Sequence, residues 1–130
     1  MRQFTIFASM ILVLVCAACS SADAAPQGDL PPGDASRGAT LFTQSLNGAP
    51  SCSTCHTVDG STLVGPSLKG FAAVAPTRVD GMSATDYAHN SIIKPASYVV
   101  SGFPNLMYAQ YAQQLTPQQI ADLIAYLLTL

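Results

Sequence analysis

An all-α fold is the expectation for this chain, and three observations carry it. The C-terminus pairs a capping box with an apolar stripe at helical spacing. Two earlier segments begin at a capping residue and end at helix-breaking sequence. No run shows the period-two alternation of a half-buried strand: Tyr98-Val99-Val100 is apolar and β-prone, but short and isolated. The 130 residues allow one domain.

The N-terminus reads as an export segment. Arg2 is followed by an uncharged apolar run from Phe4 to Val15, which has the character of a secretory h-region. That run is shorter than the roughly 20 apolar residues a membrane span needs, although an uncleaved anchor is an alternative reading. Residues 1–19 are therefore expected to be a signal peptide. Cys16-Ala17-Ala18-Cys19 resembles the lipobox of bacterial lipoproteins, with Cys16 where that pattern has an aliphatic residue. The resemblance implies a lipidated N-terminal Cys19 and a membrane anchor. A cut at the A-x-A site Ala22-Asp23-Ala24 would instead release a soluble protein and discard Cys16 and Cys19. Both cuts place the mature chain outside the cytoplasm, in the periplasm or on the extracytoplasmic face of the cell membrane. Residues 20–33, rich in Ser, Ala, Pro and Gly without apolar periodicity, read as a flexible linker.

The folded part is expected over 34–130, small enough that an all-protein core is marginal. A first helix spans about 35–45, with Asp34 as N-cap and Leu41 and Phe42 as its apolar contacts. Gly38 inside it costs about 1 kcal/mol relative to Ala, which points either to close approach by another helix or to a helix-end glycine. Asn47-Gly48-Ala49-Pro50 forms a turn. A middle helix spans about 84–93, capped by Ser83 and stopped at Lys94 by Pro95. In the last helix, Thr116-Pro117-Gln118-Gln119 supplies the capping box and a proline at the first helical position. Ile120, Leu123, Ile124, Leu127 and Leu128 then form one apolar face.

Between the first two helices lies Cys52-Ser53-Thr54-Cys55-His56, the Cys-x-x-Cys-His pattern of c-type haem attachment. With 4 Cys and 2 His in the chain, random placement would produce the pattern with a probability of only about 0.002. Cysteines three apart lie on one side of a helical turn, so both sulfurs can form thioethers to the haem vinyl groups. His56 follows and can reach the iron as proximal ligand. Three other readings compete. A thioredoxin-like dithiol calls for a neighbouring βαβ pattern that is missing here. A structural zinc site needs a fourth ligand, and a plain 52–55 disulfide leaves His56 unexplained. The four cysteines thus divide into two for export and two for haem. For the distal position the candidates are Met82, Met107 and His89.

Taken together, residues 34–130 resemble a class I c-type cytochrome domain. The resemblance implies a cytochrome c fold, with helices packed around one covalently attached haem c and the N- and C-terminal helices crossing closely. Gly38 would then lie at the crossing, and Phe42 would meet Leu123 and Tyr126. Gly65-Pro66-Ser67-Leu68 is similar to the loop in which a proline carbonyl accepts a hydrogen bond from the proximal histidine, here Pro66 and His56. Met107 follows an irregular segment, Ser101 to Leu106, ahead of the final helix, where the family places its axial methionine. The family usually has proline next; this chain has Tyr108. The stretch from Tyr98 to Met107 looks like small cytochrome domains fused to, or serving, haem-copper oxidases.

Charge narrows the partners. Beyond Cys19 there are four basic side chains, Arg37, Lys69, Arg78 and Lys94, against seven aspartates and no glutamate. No basic cluster exists to hold a phosphate backbone, so nucleic acid is not an expected partner. The resemblance implies a one-electron carrier in a respiratory or photosynthetic chain, not itself an enzyme, that meets redox proteins such as a haem-copper oxidase or a cytochrome bc-type complex. The alternative is a haem enzyme or gas sensor with a displaceable distal ligand.

Overall fold

A computed structural model of the chain describes residues 30–130. The expected signal peptide, lipidation at Cys19 and most of the linker lie outside the described residues. Five α-helices follow in order: α1 (Ala35–Phe42), α2 (Phe71–Val74), α3 (Ala84–Ile93), α4 (Tyr111–Gln114) and α5 (Pro117–Leu127), joined by loops and single 3₁₀ turns. The only β pairing among the described residues is an isolated bridge between Leu46 and Ala49. The fold is therefore all-α.

The cap residues act as their side chains dictate. Asp34 accepts the backbone N–H of Ser36 and Arg37, and Ser83 accepts that of Asp86. Thr116 and Gln119 form the reciprocal capping box of α5, a contribution of about 1 kcal/mol. The first helix ends at Phe42, three residues earlier than the sequence suggested. Thr43 stays in the right-handed region, at φ −99° and ψ −2°, but its N–H turns back to the Thr40 carbonyl at 3.2 Å, and Gln44 N–H to that of Leu41 at 3.1 Å, each one residue short of the α-helical partner. Asn47, at φ +50°, then closes the bridged turn. The four-residue helices α2 and α4 are too short to show a hydrophobic period, which is why no pattern announced them.

The crossing of α1 and α5 organises the core. A Cβ at Gly38 would run into the backbone carbonyl of Asp122 and the side chain of Tyr126, so only glycine allows this approach. Phe42 and Tyr126 meet edge to face at 5.5 Å. Ile120, Leu123, Ile124 and Leu127 are buried on α5, at roughly 1.5–3 kcal/mol each. The arm before α1 joins the same crossing. Gly33 packs against Ala121 and Ala125, and Gln118 donates to the Pro32 carbonyl at 2.9 Å. Residues 30–33, expected as the end of a free linker, are thus held along α5.

Candidate functional site

The Cys52–His56 segment is built on a 3₁₀ turn, Cys52–Thr54. The Cys52 carbonyl accepts the N–H of both Cys55 at 3.1 Å and His56 at 2.9 Å. Three residues per turn places side chains i and i+3 above one another, so the two sulfurs share a side more closely than on an α-helical turn. Ser51 Oγ lies 2.9 Å from Thr54 Oγ1 and closes the turn from outside. Beyond His56 the chain loops out and returns: Gly65 N–H donates to the Cys55 carbonyl at 2.9 Å, and Leu68 N–H to that of Thr57 at 2.7 Å.

That return delivers Pro66. His56 Nδ1 lies 2.8 Å from the Pro66 carbonyl oxygen. A carbonyl only accepts, so Nδ1 carries the proton and Nε2 keeps its lone pair. The bond thereby fixes both the tautomer and the direction of the ring. Gly65 lets the ring lie there, because a Cβ at that position would come within 2.5 Å of His56 Cε1.

Cys52, Cys55, His56 and Pro66 line one wall of a deep cleft that encloses about 1020 Å³ of empty space, its open mouth included. Phe42 of α1 and Leu123 and Leu127 of α5 close its base, and Tyr87, Ala88 and Ile92 of α3 form a flank. The loop from Tyr98 to Met107 contributes much of the remaining lining, Met107 included. No Asp, Lys or Arg contributes to this lining. A flat apolar ring with two attachment sulfurs and a ligand nitrogen on one wall fits this shape and chemistry. The remaining distal candidates lie elsewhere. Neither Met82 nor His89 lines the cleft, and the Met82 sulfur instead accepts a 3.7 Å contact from Asn90.

Burial raises the Cys52 thiol to about 11. A redox-active dithiol needs the opposite shift, since the thiolate is the nucleophile. Cys52 and Cys55 are also not joined to each other. Two features escaped the sequence reading. Phe71, Tyr87 and Tyr98 form a run of rings along the cleft, with centroids 6.0 and 5.7 Å apart. Lys69 and Arg78 line a smaller hollow that shares Leu68, Phe71, Tyr87 and Val100 with the main cleft. Neither arrangement leaves a local pattern, because each joins residues from separate elements.

Known proteins resemble this arrangement along most of its length. A family model described as cytochrome c matches residues 35–130. The cytochrome c of Theileria parva is 35% identical over 120 residues, which covers 80% of this chain and 94% of that protein.

Proposed function

Because the chain belongs to the cytochrome c family, whose members carry single electrons on covalently attached haem c, we propose that it serves a respiratory or photosynthetic chain as an exported carrier tethered to the membrane. The observation that carries the site assignment is His56, held by Pro66 in a cleft that Cys52, Cys55 and Met107 also line. Bound haem supplies reversible Fe(III)/Fe(II) chemistry. Cys52 and Cys55 are its attachment points. His56 offers Nε2 as proximal ligand, with basicity raised by the Pro66 carbonyl. Met107 offers a neutral thioether on the distal side, which favours the ferrous state and raises the potential relative to a second histidine. The uncharged lining acts in the same direction, since it solvates the extra positive charge of the oxidised state poorly. Lys69 and Arg78, beside the shared wall, would place countercharge near carboxylates at the cofactor's edge.

Lipidation of Cys19 would suit the domain's geometry. The arm at 30–33 runs along the Ala121 and Ala125 side of α5, and that side lies about 160° around the helix from Leu123 in the cleft. A tether arriving there leaves the mouth of the cleft clear. Redox partners of the haem-copper oxidase or cytochrome bc type are favoured because the segment from Tyr98 to Met107 resembles oxidase-linked domains. The test is oxidation of the ferrous protein by membranes that contain a haem-copper oxidase. Rapid oxidation, abolished by an inhibitor of that oxidase, is the expected result. Oxidation no faster than in buffer contradicts the assignment of acceptor.

A further inference from the structure

Met107 makes no backbone hydrogen bond among the described residues, and neither Tyr108 nor Ala109 donates one. The preceding loop is pinned only locally, by Phe103 N–H to the Val100 carbonyl and Leu106 N–H to the Pro104 carbonyl. Tyr108 also occupies the position where a proline would stiffen the chain. Tyr108, the next residue, links Met107 to a second tyrosine ring.

Tyr108 meets Tyr111 edge to face, with centroids 5.1 Å apart and ring planes at 76°. Its hydroxyl donates to Gln110 Oε1 at 3.1 Å. Tyr111 is buried, 6% exposed, and its hydroxyl donates to the Pro50 carbonyl at 2.8 Å. Pro50 stands two residues before Cys52. A second bond runs parallel to this one, from Asn47 Nδ2 to the Gln114 carbonyl of α4 at 2.8 Å. Tyr108 and Tyr111 thus connect the loop that carries Met107 to the turn that leads into the haem-attachment residues.

We propose that Tyr108 and Tyr111 are positioning residues for Met107, a ring-and-hydroxyl brace that replaces the rigidity a proline would give. The inference rests on the reading of Met107 as distal ligand. A thioether is a weak iron ligand, so its occupancy depends on the local opening free energy of the loop that presents it. The brace raises that opening free energy by tying the loop to a segment that the attached cofactor already fixes. The Tyr108 N–H donates to nothing among the described residues, so proline there would break no bond.

The test uses the haem-loaded full chain and reads the ferric methionine charge-transfer band against pH, together with the rate at which the ferrous form binds carbon monoxide. Tyr111→Phe keeps the ring but removes the bond to Pro50, and it should raise the carbon monoxide rate about fivefold to tenfold. Tyr108→Ala should raise it further and lower the pH at which the band disappears. Tyr108→Pro should return both readouts toward wild type. The proposal is overturned if Tyr111→Phe and Tyr108→Ala melt at lower temperature with both readouts unchanged, since the rings would then serve the fold alone. Met107→Ala is the control: a wild-type band in that variant would show that the ligand assignment, and not the brace, is at fault.

Discussion

Arg37 grips the carboxylate of Asp122 with two hydrogen bonds, Nε to Oδ2 at 2.8 Å and Nη2 to Oδ1 at 2.9 Å. The same carboxylate accepts the Asp34 N–H at 2.7 Å and the Gln118 amide at 2.9 Å. Asp122 is 2% exposed, and this one group ties the start of α1 to the middle of α5. The Arg37 hydrogen bonds lower its pKa to about 2 from an ordinary 3.8, with the Asp34 and Gln118 donors helping and burial opposing. A depressed carboxylate stabilises the fold above its unfolded pKa, and that contribution is lost as the pH falls through the folded value. Acid should therefore loosen the α1–α5 crossing between about pH 4 and pH 2. Arg37→Leu should destabilise the protein at neutral pH, because the buried Asp122 carboxylate keeps only the Asp34 and Gln118 donors. Urea unfolding of the haem-loaded protein against pH checks both, and an unchanged acid profile in Arg37→Leu would refute the assignment.

Gly38→Ala should destabilise the same crossing. The added Cβ meets backbone, the Asp122 carbonyl, which cannot rotate away as a side chain would. Overpacking ordinarily costs about 1–3 kcal/mol, and the upper end is expected here. Thermal melting of the variant measures it. A melting temperature within a degree or two of wild type would mean the helices separate more easily than the structure implies.

Much of this architecture was legible in the sequence. The caps at Asp34, Ser83 and Thr116 are local chemistry, and Pro95 stops α3 where a proline must. Gly38 betrayed the helix crossing because an internal helical glycine needs a reason. The site residues on one short segment, Cys52 to His56, were equally plain. Long-range relationships were not. Arg37 and Asp122 are 85 residues apart, and Tyr111 and Pro50 are 61 apart. No spacing rule links such pairs, and α4, which presents Tyr111, is too short to show a period.

Docking at the cleft mouth should respond weakly to salt. Val64, Val99 and Leu106 line the cleft and are 52%, 37% and 67% exposed, and no Asp, Lys or Arg joins them in the lining. Screening acts within about 8 Å at physiological ionic strength, so an uncharged rim has little steering to lose. Electron-transfer rates measured from low to moderate salt should stay within a few-fold. A steep decline would place the docking surface elsewhere.

Replacing Cys19 with Ser should release the protein from membranes. Several acyl chains hold a protein firmly where a single chain gives marginal binding, so the wild type should survive a salt wash. N-terminal sequencing offers a second readout. A soluble wild-type protein that begins at Ala25 would show that the A-x-A site is used.

The central claim is that His56 and Met107 together close the coordination of the haem iron in an electron carrier. Carbon monoxide binding to the ferrous protein, followed in visible spectra for the wild type and Met107→Ala, tests it most directly. The account predicts a wild type that stays six-coordinate and binds the gas only slowly, as its Met107 loop opens. It predicts a Met107→Ala protein that keeps its haem through Cys52 and Cys55, loses the ferric charge-transfer band and binds carbon monoxide readily. A wild-type protein that takes up the gas at once, or a Met107→Ala protein that binds it just as slowly as the wild type, would contradict the account.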